Sequence, residues 1–426
     1  MIRSLFLALC CLAVALGSAA AQDRNLFVIK VEAGDYDREY TPVRVTIPSL
    51  REIANAPLIS VVDGDAGIPA QETARSLLGG ESEGRELHFV VPELKAGTSF
   101  TCAINFPVSF SDELKAIGYR WSDDGEFATD LKYHVERKDS SLSTLRYVHP
   151  KLDDTDAKTR EATYKPFHHV YSPNGERIVT KGPGGQFTHH RGLYFGFNRI
   201  TYGEDKLTCD VWHCKAPAYQ RHEDVLSTEE GLVLGRHRVQ IAWHGTKGEK
   251  FAEEHRELTS FNAGKNQFIE FASVVRTTGG NIRLDGDPQH AGFHFRADNE
   301  VAEKTKSQTY YLRPDGKGKP GETRNWDAKS RNPLAVNEPW KVLSFVLGGV
   351  RYSALYLDHP NNPKEARSSE RDYGRFGSYF EYDITPEKPL KVNYRVILKE
   401  GEFTPEEAVR LSNDFVHPPK VTITQL

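Results

Sequence analysis

Residues 267–277 set the terms for the rest of the chain. Phe268, Glu270, Ala272 and Val274 alternate with Ile269, Phe271, Ser273 and Val275, so an extended segment here carries apolar side chains on both faces. Such a strand must be covered on both sides, and that requires layers of structure around it. Short strands recur on either side of it with turn signals at close intervals, at 207–214, 232–243, 292–297, 340–347, 352–357 and 391–398. Val239, Ile241 and Trp243 alternate with Gln240, Ala242 and His244, the pattern of a half-buried strand. Residues 26–31, 43–47, 58–63 and 87–91 read as strands in the same way, with Gly34-Asp35 as a turn, while 71–84 is polar and reads as a loop. One helix is expected, at 404–414: Thr404 is the N-cap, Pro405 the first turn, and Glu407 closes a capping box. Residues 304–335, rich in Gly, Pro and Arg, read as a long surface loop.

The fold expected is therefore mainly β. A small N-terminal β-sandwich, residues 22–110, precedes a linker at 111–141 and a large antiparallel β-sandwich of supersandwich type at 142–426. Residues 1–21 read as a secretion signal, with Arg3 as the basic start, an apolar run at 5–16 and Ala19-Ala20-Ala21 as the cleavage site. That predicts a periplasmic or extracellular protein starting at Gln22, with no later segment able to span a membrane. The net charge of −4 offers no basic field for nucleic acid. Cys10 and Cys11 leave with the signal, and Cys209–Cys214 is the local candidate if Cys102, Cys209 and Cys214 form a disulfide.

Chemistry concentrates in residues 168–198. Two His-His pairs, His168-His169 and His189-His190, flank a Gly- and Pro-rich loop, and Arg191 follows the second pair. Neutral imidazoles accept protons or bind metals near pH 7, and a guanidinium offers a forked site for a carboxylate. Adjacent residues of a strand point to opposite faces, so one histidine of each pair enters a site unless the backbone turns there. His290 and His294 are four apart, and on a strand His294 and Arg296 share a face. His213 lies beside Trp212, between two cysteines, where packing or a disulfide outranks a zinc site. Asp358-His359-Pro360-Asn361 ends a strand, as a turn or as a strand end that projects His359 and Asn361 into the same cleft.

Five ordered blocks carry a family resemblance: KPFHHVYSPNGERIVT at 165–180, THHRGLYFGFN at 188–198, DVWHC at 210–214, HAGFHFRA at 290–297 and ALYLDHPNNP at 354–363. They resemble a secreted family, largely of unknown function, labelled methane oxygenase PmoA, over residues 142–415. One form of the family motif has Asp-His-Pro where Gln186-Phe187-Thr188 stand here, so no role for that extra histidine carries over. The resemblance implies a large β-sandwich similar in kind to those of sugar mutarotases and polysaccharide lyases, and its label implies a metal oxidoreductase.

Three readings follow. In the first, a carbohydrate-active lyase, epimerase or hydrolase uses His168 and His190 as acid and base, and Arg191 binds a uronate carboxylate or an oxyanion. His189, His294, Arg296, His359 and Asn361 then bind a carbohydrate or other small polar substrate. In the second, a divalent copper, iron or zinc ion is held by His168, His189, His190 and His294, or iron by His189 or His190 with His294 and an acid such as Asp358. A copper brace on an N-terminal histidine is excluded, because no histidine follows Gln22 until His88. In the third, the sandwich grips glycans without catalysis.

Overall fold

The computed structural model describes residues 27–47, 58–61, 67–80, 84–105, 117–125, 127–135 and 141–425. The expected secretion signal lies outside them. The described strands form four antiparallel sheets of seven, eight, four and nine strands. No helix among the described residues is long and apolar enough to cross a membrane.

The seven-stranded sheet is built from the N-terminal strands and closes around its own core of Ile29, Val31, Leu87, Phe89 and Ile104. Its edge strand is Lys420–Gln425, which pairs with Phe27–Glu32 from the other end of the chain. The large unit packs the eight-stranded sheet against the nine-stranded one. Their inner faces share a core in which Leu193, Phe195 and Phe293 meet Val239, Ile241 and Trp243. Strand Asn266–Thr277 is central to the nine-stranded sheet and buried along nearly its whole length, as its two apolar faces require.

The structure departs from the sequence reading in several elements. The stretch read as a linker carries strands Gly118–Asp123 and Ala128–His134, which end the eight-stranded sheet. Tyr119 and Leu131 anchor them in the large core. Within 304–335, strand Tyr310–Arg313 is fully buried, since Arg313 is neutralised by Glu370 at 2.9 Å from Nε. Helix Pro405–Val416 has the expected Thr404 capping box, but a second helix, Ala157–Thr163, is capped by Asp156 with Thr159 in place of the usual Glu or Gln. Cys102, Cys209 and Cys214 are all buried free thiols. The Cys214 Sγ donates to the Val211 carbonyl (3.2 Å) instead of bridging to Cys209.

Candidate metal centre

The loop between strands Phe167–Val170 and Leu193–Phe197 is folded by two buried cations. Lys181 donates from Nζ to the carbonyl oxygens of Gly182 (2.9 Å), Gly184 and His190. Arg191 donates to those of Thr188, His190 and Glu161, the last in helix Ala157–Thr163. Burial pulls the Lys181 ammonium down to about 7 and also lowers Arg191. The loop ends in a tight turn. Phe187 adopts φ +53, a region that bulky side chains seldom enter, and its carbonyl accepts the His190 N–H at 2.9 Å. This turn removes the strand alternation, so His189 and His190 enter the same site with ring centroids 4.4 Å apart.

Two more histidines meet them there. His213 lies 4.5 Å from His189, and His290 lies 4.7 Å from His213, centroid to centroid. Each is backed by a carboxylate three residues earlier: Asp210 at 2.8 Å from His213 Nδ1, and Asp287 at 3.0 Å from His290 Nδ1. A partnered Nδ1 fixes the ring and leaves Nε2 as the remaining donor atom. One ring nitrogen each from His189, His190 and His290 lie within 4.8 Å of one another. His189 Nε2 and His190 Nδ1 are buried without a hydrogen-bond partner. Burial, then the neighbouring His213 and Lys165, holds His189 down to about 2. Burial and Arg375 keep His190 well below the usual imidazole range. These rings are neutral, the form that ligates metals.

Beneath them lie Arg296 and Arg375, paired across adjacent strands and both fully buried. Neither forms an ion pair with a described residue. Nε and Nη2 of each have no hydrogen-bond partner. A buried guanidinium without a carboxylate costs several kcal/mol, so the pair is chemically suited to an anion. Tyr373 packs on Arg296 at 4.7 Å and on the 42% exposed Phe187 at 4.8 Å, forming an aromatic wall beside His190.

The structure brings His189, His190, His294 and Arg296 of the expected residues together. His294 is not a free ligand: Nε2 bonds the Ala291 carbonyl (2.8 Å), and Nδ1 faces Arg375 Nη1 (3.4 Å). Arg191 lies behind the loop and positions it. His168 stands across the sheet. Its strand neighbour is Leu193, which points into the core between the sheets, whereas Tyr194 pairs with His294 on the outer face. His168 bonds His237 (2.8 Å) and stacks on Tyr147. His359 lies against Phe415 of helix Pro405–Val416, and Asn361 is exposed, so neither belongs to this site. Sequence reasoning weighed His213 and His290 without assigning them to this site, and it left out Arg375 and Tyr373. Two Asp-x-x-His turns, Asp210 to His213 and Asp287 to His290, were the signal for the first pair.

A family model described as a family of unknown function (DUF6807) matches residues 134–413. That description carries no oxygenase label. No curated protein matches the chain. Among solved structures, an Enterococcus faecalis protein in glycosyl hydrolase family 38 aligns with a TM-score of 0.38 and 8% identity, covering 94% of this chain and 48% of that one. Pseudomonas aeruginosa OccK2 (OpdF), in complex with glucuronate, aligns with a TM-score of 0.12 and 12% identity, covering 88% of this chain and 96% of that one. Both scores are too low to carry an argument about fold or function.

Proposed function

The chain belongs to the family of unknown function DUF6807, and from its site we propose a metal-dependent enzyme that acts on a hydroxylated, carboxylate-bearing substrate of the sugar-acid class. The observation that carries this reading is the triad His189, His190 and His290, with ligand atoms within 4.8 Å and two of its ring nitrogens buried without partners. The donor set fits a first-row divalent ion, since imidazole suits zinc, copper and iron. Bound there, such an ion supplies Lewis-acid polarisation or an activated water.

The chain's own residues divide the remaining work. Asp287 orients His290. His213, held by Asp210, stands beside the triad but outside it, and we assign it as the proton acceptor. Arg296 and Arg375 bind the substrate carboxylate, and Phe187 with Tyr373 flanks its ring. Acid–base catalysis by His190 without a metal is the weaker reading, because burial and Arg375 keep that imidazole neutral and a poor base.

The test is elemental analysis of the chain expressed from Gln22 and purified without affinity metal, beside His290→Ala. Near-stoichiometric zinc, copper or iron that disappears in the variant is the expected result. Chelation should then abolish turnover in a screen of uronate oligosaccharides. A protein that takes up none of these ions when they are supplied would overturn the reading.

A further inference from the structure

A cavity of about 390 Å³ lies between the N-terminal sheet and the outer face of the nine-stranded sheet, on different elements from the histidine centre. That volume is in the range of small-molecule sites, which favour domain interfaces. His359 lines it, which gives the Asp358-His359-Pro360-Asn361-Asn362 turn a place in the molecule. Asn362 ties this turn down by donating to Asp358 (2.8 Å) and to the Asn393 carbonyl (2.7 Å).

We propose that this cleft is a second ligand site and that it takes a small ring compound bearing a carboxylate. The acids of its lining are already engaged. Glu257 accepts from Arg238 (2.7 Å) and from the Leu77 N–H (3.1 Å). Asp414 accepts from Arg38 (2.8 Å) and Thr41 (2.9 Å), and Glu270 from Arg395 Nε (3.1 Å). The guanidinium groups keep donors beyond these contacts. Arg395 is 5% exposed, yet its Nη1 is buried with no partner. Arg236 bonds Thr259 (2.9 Å), Thr73 (3.3 Å) and the Ala74 carbonyl (3.2 Å), with its carboxylate neighbours at 3.8 and 3.9 Å. Arg44, on the opposite wall, bonds the Ser76 hydroxyl among the described residues (2.8 Å). Guanidinium donors left over in a cleft whose acids are spent select an anion, and the planar fork suits a carboxylate. The apolar side is Phe415, which carries Arg395 at 4.6 Å on its face and His359 edge-on at 5.2 Å, with Phe89 and Phe261 beyond. Flat walls of this kind suit a ring.

The experiment is calorimetric titration of the full chain with galacturonate and with benzoate, using galactose as the neutral control. Variants are Ala272→Phe, which fills the cleft, Arg44→Ala on its exposed wall, and His190→Ala. We expect at least one acid to bind and galactose not to bind. Ala272→Phe should weaken binding by at least about tenfold, Arg44→Ala should weaken it several-fold, and His190→Ala should leave it unchanged. Galacturonate alone binding would identify a sugar acid, and benzoate alone an aromatic acid. The proposal is overturned if neither acid binds at millimolar concentration, or if galactose binds equally well. It is also overturned if His190→Ala removes the binding that Ala272→Phe leaves intact. Should Ala272→Phe fail to fold, an unchanged affinity in Arg44→Ala overturns it alone.

Discussion

Histidines gather on both faces of the eight-stranded sheet, and the two groups are built to opposite ends. On the outer face, His213 and His290 are each braced by an aspartate, and His189 and His190 keep unpartnered ring nitrogens at a half-exposed mouth. On the inner face, the rings bond and stack on one another, although His168 Nδ1 is also left without a partner. His168 bonds His237 at 2.8 Å, His222 bonds the Tyr147 hydroxyl at 3.1 Å, and Trp121 stacks on His237. Among the described residues, no acid hydrogen-bonds these inner rings. The lesson is that partners, not residue type, decide whether a histidine serves chemistry or packing.

The sharpest way to break this contrast is to exchange the losses. His290→Ala should abolish metal binding and leave thermal stability close to that of the parent, because the ring is half-exposed. His168→Ala should leave metal content unchanged and cost about 2–4 kcal/mol, the range for emptying a fully packed site and orphaning the His237 ring. Urea unfolding and elemental analysis on both variants check this. A His168→Ala protein that is stable but metal-free would merge the two groups into one site.

The bracing itself comes next. Asp287→Asn keeps the shape of the turn but removes the charge behind His290. Metal affinity should fall roughly 10–100-fold, the usual effect of losing such a partner. Competition with a chromophoric chelator measures it. An unchanged affinity would mean that His290 does not ligate.

The same contrast explains what the sequence could disclose. Strand positions were readable because alternation such as Val239, Ile241 and Trp243 is local, and so was the capping box of Thr404 and Glu407. Strand Tyr310–Arg313 was not readable, because its arginine is made tolerable by Glu370, 57 residues away. At the site, the His-rich stretch was visible but its geometry was not. His168 and His190 fall on opposite sides of the sheet through a register, His168 against Leu193, that no local pattern contains. His189 and His190 share a site only because Phe187 accepts an unfavourable backbone conformation.

Acid tests the inner face more gently. Burial, then His222 and His149, lowers His237 to about 3, whereas an unfolded histidine titrates near 6.5. Above that value both states are neutral and the group contributes nothing to the pH dependence. Below it the unfolded chain takes up a proton that the folded chain refuses, so stability falls as pH falls. The slope is about 1.4 kcal/mol per pH unit for this one group, down to about pH 3. Urea midpoints between pH 7 and 5 should therefore depend less on pH in His237→Phe than in the parent. An equal slope in both would show that the inner ring is free to protonate.

The smallest expected effect on the fold is at the rim of the outer site. Phe187 is a large apolar side chain, 42% exposed, in a left-handed backbone conformation. Neither property favours stability, and Asn occupies that conformation more readily. Phe187→Asn should thus change stability by less than about 0.5 kcal/mol, as exposed substitutions usually do. Metal content should not move, since the Phe187 carbonyl, not its ring, holds the turn of His190. Substrate handling should suffer alone, with KM rising and bound metal constant, because the ring's main contact is Tyr373 at 4.8 Å on the wall of the cleft. A variant that loses metal as well would mean that the aromatic wall supports the imidazoles rather than the substrate. The outer face would then depend on packing as the inner one does.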